Sequence, residues 1–540
     1  MTPRLPGPIR RNGRQLAGAV GRAARRLPGP VKNVGREAFE LMPDTEMKRR
    51  LDRALRGASA GRRTRPGDTA FSDAHVPLVH RGSTYSAGEV STYLQLEAAH
   101  LRRRLFAEQT LAQAAEGPAG ADPEQDAAVR ELVDEYVELA GTEDDADGGT
   151  HLVIVNVYPS VGNEYGNGFV HRRIKYYLEA GAQVHVVVVG PETEPSAYTY
   201  DGVAVITGDG AEARELLRRR SYRSVSAHFM GRYIWDQIKH DLTGQTFYCF
   251  MHGFESRRWI RTLYNYRTPD QVDAAIADTV DRQGLWREVL AHPWGPVKFV
   301  FVSDWWRRAS QEDMELVYPA SRSEVVHNVI ETKLFRYVPK PAAQRFKLLW
   351  IRSASNLNYG SDIAVEVLTR LRETDYWDSI EARIIGDGRH FGAFESAFED
   401  DDNVTVERRY ASQDEIALLH REYGVFLVPS RLDSQGVSRD EAMASGLVPV
   451  TNTVSAIPEF VDDSCAVLAP GEDADAMIAG LIRLFEDPER FLRMSAAAAE
   501  RVARQSGPEA TIGKELRLLG VTGRERGDAP GTPASEGSQS

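Results

Sequence analysis

From His151 onward, short apolar blocks alternate with amphipathic stretches. Residues 152–157 read as a buried strand, 158–168 as a loop, 169–180 as a helix and 184–189 as a second strand, which together make a βαβ unit. Weaker strand patterns follow at 203–206, 224–228, 247–251 and 298–302. A second series begins near Phe346, with strands expected at 348–351, 381–385, 404–406, 425–428, 448–451 and 466–468, helices between them, and a helical stretch over 474–503. Ahead of both series, Ala87, Val90, Tyr93, Leu94, Leu96, Ala99, Leu101 and Leu105 form the apolar stripe of a helix over 86–115. The breaker 116–123, rich in Gly and Pro, separates it from a second helix over 123–139. The pattern leaves open whether this pair is an oligomerisation or docking module or a cap on the first domain.

Composition and charge refine this picture. The chain has 540 residues, 42% hydrophobic and 27% charged, values of a multidomain globular protein. It has no run of 18 apolar residues and no secretory apolar region near its start, so the expected location is cytoplasmic. Cys249 and Cys465 stand far apart in apolar surroundings and read as core thiols. Residues 1–66 hold 17 Lys and Arg against 5 Asp and Glu, although the whole chain has a formal net charge of −12. An acidic body argues against nucleic acid as a partner. The basic arm fits attraction to an anionic membrane surface, which would place the protein at the inner face of the membrane. A leader without a partner fits the same composition. The Gly- and Pro-rich arm and the tail 521–540 both read as disordered.

The chemistry concentrates in residues 425–450. The apolar run Val425–Val428 leads to Pro429, Ser430, Asp433, Gly436 and then the helical phrase Glu441-Ala442-Met443-Ala444 before a second apolar run. Seven residues separate Asp433 from Glu441, with a glycine turn between them. One acid can therefore precede the helix and the other lie within it. Carboxylates accept hydrogen bonds from vicinal sugar hydroxyls. Backbone N–H groups near Val437 and Ser438 suit an anionic phosphate. Together they suit a nucleotide sugar, although acids near a helix N-terminus are also favoured without any ligand.

Pro429-Ser430, Gly436, Glu441-Ala442-Met443-Ala444, Gly446 and Pro449-Val450 resemble the Glu-x7-Glu signature of retaining family-4 glycosyltransferases. Asp433 stands where the first Glu of that signature usually lies. The resemblance extends more weakly over about residues 150–520 and implies the GT-B fold, an α/β architecture of two Rossmann-like domains facing a cleft. The expected organisation is a basic arm (1–66), a helical extension and linker (67–148), an acceptor-side domain (149–335), a nucleotide-sugar-side domain (336–520) and a tail (521–540). Val325-Val-His-Asn328 resembles the family phrase that precedes the interdomain linker.

The same resemblance assigns further residues. It gives Glu441 to the ribose hydroxyls and Asp433 to the transferred sugar. His252, between an apolar run and Gly253, would line the donor site; His228 is a poorer candidate for that role. Arg352, after the strand at 348–351, would hold the donor diphosphate, as suits a guanidinium. The family's lysine a few residues on has no counterpart in Asn356-Leu-Asn-Tyr-Gly360, where Asn358 or Tyr359 offers a hydrogen bond without a charge. Gly386, in Gly-Asp-Gly388, resembles a turn near the nucleotide base. Gly162, Gly166 and Gly168 resemble the glycine loop that closes over donor and acceptor.

That loop is not Gly-x-Gly-x-x-Gly, and no clear acid directly follows the second strand, so a dinucleotide cofactor is not expected. The acidic turns 144–149 and 399–402 read as solvated, because a hard cation needs several positioned oxygens; no metal and no cofactor is expected. The implied activity is transfer of a hexose from a nucleotide diphosphate sugar to a glycan, lipid-linked or small-molecule acceptor. A silent GT-B scaffold that binds a glycan or protein partner, or a nucleotide-sugar epimerase, are the alternatives.

Removing residues 1–66 is expected to leave folding and turnover of soluble substrates nearly intact while lowering sedimentation with anionic vesicles. The loss should be greatest at low salt, since the Debye length is about 10 Å at 0.1 M and shrinks as salt rises. Equal sedimentation of the full and shortened chains would discard the membrane reading.

Overall fold

A computed structural model describes residues 85–111, 123–142, 149–161, 163 and 166–521. The basic arm, Gly162, most of the acidic turn 144–149 and all but Val521 of the tail lie outside these residues. The chain divides into two compact units. One comprises Ala121–Phe250, Trp294–Lys298 and the segment from Pro508; the other comprises Met251–Pro293, Phe299–Gly507 and the segment up to Gly120.

In the first of these units the strands are β1 (Thr150–Val155), β2 (Gln183–Val189), β3 (Ser196–Tyr200), β4 (Val203–Gly208), β5 (Ser224–His228) and β6 (Phe247–Met251). They run in the order β3-β4-β2-β1-β5-β6. β1 is buried along its whole length, as expected of a central parallel strand covered on both faces. It pairs in parallel with β2 and β5. β3 is the exception: it runs antiparallel to β4. Its half-exposed residues give no apolar run, and the strand reading missed it. The available signal was Asp201-Gly202, both with positive φ (44° and 75°), the conformation of a tight hairpin turn.

The helix Pro123–Ala140 packs in this unit, where Tyr136 is fully buried and its hydroxyl accepts from the Val186 N–H at 2.7 Å. The helix Pro508–Leu519 packs here as well. Arg173, on the helix Gly168–Glu179, donates through Nε to both oxygens of Glu515 at 3.0 and 3.2 Å, and Tyr177 donates its hydroxyl to the same carboxylate. Arg173 and Glu515 are 1% and 0% exposed. Burial and the Glu515 charge drive the Tyr177 hydroxyl pKa well above its ordinary value.

The second unit carries β7 (Lys298–Phe301) and β8 (Ser323–Val325), a parallel pair. It also carries a six-stranded parallel sheet: β9 (Lys347–Ser353), β10 (Glu381–Asp387), β11 (Val404–Arg408), β12 (Val425–Leu427), β13 (Val448–Asn452) and β14 (Val467–Ala469), in the order β11-β10-β9-β12-β13-β14. Leu348, Trp350, Leu427 and Val450 of the inner strands pack with Phe394, Leu481 and Phe491 from the helices and with Phe391 just before one of them. The helical stretch expected over 474–503 is two helices, Ala474–Glu486 and Pro488–Gln505. Pro488 cannot continue the first, and Asp487 caps the second by accepting from the Arg490 N–H at 2.8 Å.

The helix Ala87–Leu111 belongs to this second unit and lies against the helix Pro269–Ala291. Arg258 clasps Glu97 in a buried bidentate pair at 2.8 and 2.5 Å, and Arg104 reaches Asp281 at 2.7 Å. Tyr85 and Val90 join Trp259, Leu263, Val272 and Ile276 in one apolar cluster. The two helices that precede the α/β series therefore cover different units rather than forming one module.

Removing one partner of a buried ion pair leaves an uncompensated charge, at a cost of about 3–5 kcal/mol. Glu515→Ala is expected to lower the urea unfolding midpoint by that order, and the double change Arg173→Met, Glu515→Leu to recover much of it. Equal losses in the single and double variants would show that packing of the helix, not charge pairing, sets the cost.

Candidate functional site

The site is built where the parallel neighbours β9 and β12 end. Arg352 is the penultimate residue of β9. The strand beside it carries Gly386, where a Cβ would sit 2.1 Å from the Arg352 carbonyl oxygen. Glycine at 386 therefore lets the two strands lie close enough to set the arginine in place. The backbone beyond β12 becomes irregular over 429–436 and then enters the helix Val437–Ala444. Gly436 caps that helix with φ of 99°, a left-handed value that suits glycine.

From β9, Arg352 Nη2 stands 3.4 Å from Asp433 Oδ2 of this loop, with both side chains largely buried. The guanidinium lies over the Tyr359 ring, 4.3 Å from its centroid, and its Nε has no hydrogen-bond partner. The other Asp433 oxygen accepts from the Gln435 N–H at 3.3 Å. Val437 and Ser438 occupy the first turn of the helix, and the buried Ser438 Oγ has no partner. Glu441 follows within the same helix and is 3% exposed. The sequence therefore places Arg352, Asp433, Gly436, Val437, Ser438 and Glu441 on one loop-helix segment and the strand end beside it.

His252 approaches the same loop through its backbone. Its carbonyl accepts from Ser434 Oγ at 2.5 Å, and the Ser434 carbonyl accepts from Ser303 Oγ at 2.6 Å. The Glu255 carboxylate accepts the N–H groups of His252 and Gly253 at 2.9 and 2.8 Å. Burial pushes the Glu255 carboxyl pKa up, while those N–H groups favour its charge. Gly253, with φ of 134°, has no room for a Cβ, which would lie 2.8 Å from Ser434 Oγ. His228 is buried and stacked on Phe250 at 4.3 Å between centroids.

Asn358 has a different setting. Its side-chain oxygen accepts from Tyr264 Oη at 3.1 Å and Asn265 Nδ2 at 2.8 Å, and its carbonyl accepts the Arg431 N–H at 2.7 Å. By these bonds it ties the short helical stretch Trp259–Asn265 and the backbone at Arg431 to its own turn. Gly166 and Gly168 belong to the other unit: Gly166 packs so that a Cβ would meet Val157 Cγ1 at 2.8 Å, and Gly168 opens the helix Gly168–Glu179 in free space. Asn167 between them takes a φ of 56° and bonds to Asn156 and the Val157 carbonyl.

Several supporting residues escaped the sequence reading. Gln435 is bonded to both the N–H and the carbonyl of Asn328, at 2.6 and 3.1 Å, and donates to Asp440 at 3.2 Å. Arg439 pairs with Asp440 at 2.6 Å and donates to the Gln435 carbonyl at 2.6 Å. Burial raises the Asp440 pKa, and Arg439 opposes that rise. Arg431 grips Asp362 at 2.6 and 2.7 Å and Glu472 at 2.7 Å. The adjacent acids Asp440 and Glu441 were the signal that one of the two must be turned toward a structural partner. Among the described residues, no group of three or more His, Cys, Asp or Glu stands together as a metal site, and no helix is long and apolar enough to cross a membrane.

Residues 345–487 match the family model described as glycosyl transferases group 1. An MMP alpha-(1->4)-mannosyltransferase of Mycolicibacterium hassiacum is 27% identical over 229 residues, which is 39% of this chain and 53% of that protein. The chain thus spans about half the length of this curated relative. Among solved structures, sucrose-phosphate synthase from Thermosynechococcus elongatus aligns with a TM-score of 0.55 at 15% identity, over 68% of this chain and 98% of that one. HepE of Anabaena, solved with UDP and glucose, aligns with a TM-score of 0.51 at 11% identity, over 69% of this chain and all of that one (100%). Residues 345–487 thus match a glycosyl transferases group 1 domain, and the chain shares the two-domain α/β fold of these solved glycosyltransferase structures.

Proposed function

We propose that the protein transfers a hexose, with retention of configuration, from a nucleotide diphosphate sugar to a glycan, lipid-linked or small-molecule acceptor, in the synthesis of a cell-surface polysaccharide or glycoconjugate. One observation carries the reading. A guanidinium with an unpartnered nitrogen, the carboxylate of Asp433 and a glycine-capped helix start meet at the ends of β9 and β12, inside the matched domain. The hexose reading accords with the mannosyltransferase relative.

In this mechanism Arg352 and the N–H groups of Val437 and Ser438 hold the diphosphate and stabilise the charge that develops on it as the sugar departs. Asp433 orients the transferred sugar and Glu441 the ribose. The acceptor oxygen attacks from the face the diphosphate leaves, and a phosphate oxygen takes its proton. His252 lines the donor sugar, on a loop whose backbone is bonded to Ser434. No metal takes part, since arginine and backbone N–H groups supply the positive potential.

Glu441→Gln keeps the shape of the side chain and removes its charge. It is expected to weaken nucleotide-sugar binding by about 1.5–3 kcal/mol while leaving the thermal melt near that of the parent. Calorimetry that finds an unchanged affinity would remove Glu441 from the donor site.

Turnover is expected to survive EDTA. Loss of turnover that Mn²⁺ or Mg²⁺ restores would overturn the metal-free mechanism. The configuration of the product's new bond, read by NMR, decides between retention and inversion.

A further inference from the structure

The Arg352 guanidinium is held in an unusual way for a largely buried cation. A buried arginine is ordinarily tied by several hydrogen bonds, as Arg431, Arg258 and Arg439 are here. Arg352 has one long contact, 3.4 Å to Asp433, and an Nε with no partner. What holds its plane is the Tyr359 ring at 4.3 Å. Stacking uses the face of a guanidinium and leaves its in-plane donors free. Tyr359 is itself set by the short helical turn Leu357–Tyr359. The next residue, Gly360, has φ of 62° and lies so close to the Pro429 carbonyl that a Cβ would sit 2.0 Å from its oxygen. The ring is therefore tied to the start of the same loop that bears Asp433.

We propose that Tyr359 is a positioning residue that presents Arg352 edge-on to a diphosphate, and that Asp433 is a stand-in counter-ion that the diphosphate displaces, so that anion binding frees the Asp433 carboxylate for the sugar. This rests on the donor-site reading above and adds to it an order of events: the diphosphate end of the ligand docks first, and the sugar-binding acid is released by that docking. Asp433 has a place to turn from, because only one of its oxygens faces Arg352 while the other accepts from the Gln435 N–H.

The test is calorimetry on the full-length chain with two probes, UDP and inorganic pyrophosphate, and three variants. Tyr359→Phe keeps the stacking ring and should bind both probes within about twofold of the parent. Tyr359→Leu removes the ring and should weaken both by about tenfold, the scale of a partly desolvated cation–π contact. Asp433→Asn removes the competing charge and should tighten both by roughly threefold or more, the scale of a weak ion pair. A structural defect at the loop would weaken binding, so a tighter Asp433→Asn variant is the readout that a merely structural role does not produce.

Parent-like binding by Tyr359→Leu, or weaker binding by Asp433→Asn, overturns the proposal, provided the melts of the variants match the parent. If pyrophosphate follows the expected pattern and UDP does not bind, the anion device stands and a uridine diphosphate sugar is excluded as the donor. If the parent binds neither probe, the anion device falls.

Discussion

A buried stretch of irregular backbone must find a partner for each polar group away from water, and residues 429–436 are such a stretch. Its partners come from distant parts of the chain. Ser434 is bonded to His252 and Ser303, Gln435 to Asn328, and the Asp433 N–H to Ser455 at 3.0 Å. Arg439 reaches back from the following helix to the Gln435 carbonyl. Removal of any one of these leaves a buried donor or acceptor unsatisfied, which costs about 1–3 kcal/mol. The loop is thereby held in one conformation without being a helix or a strand.

The same unit contains arginines in two kinds of setting. Arg439, Arg431 and Arg258 are each closed by one or more carboxylates and act as structural ties. Arg352 is held chiefly by a ring face and keeps donor capacity in reserve. The difference in partner geometry, rather than in burial, separates the cation that can receive an anion from those already neutralised. Glycine serves the same end at 386 and 436, at the first by allowing two strands to approach and at the second by turning the chain into the helix.

Much of this was legible in the chain. The strands at 247–251 and 425–427 were marked by apolar runs, since a parallel strand covered on both faces has no polar side to interrupt it. β3, exposed on an edge, had no such mark, whereas Pro488 marked the break between the two helices of the 474–503 stretch. The helices before the α/β series were also visible as helices. Their separation into two units was not, because the residues that hold them, Arg258 and the Val186 N–H, lie far away in sequence.

At the site, the spacing of Asp433, Gly436 and Glu441 and the position of Arg352 at a strand end were set by the sequence alone, because a turn and a helix are local structures with local signals. The pairing of Arg352 with Asp433, the Tyr359 ring beneath the guanidinium, and the tie of Asn358 to Tyr264 and Asn265 were decided by the tertiary structure. Each of these joins residues that only chain folding brings together, and side-chain hydrogen bonds and ring contacts leave no periodicity in a sequence from which they can be read.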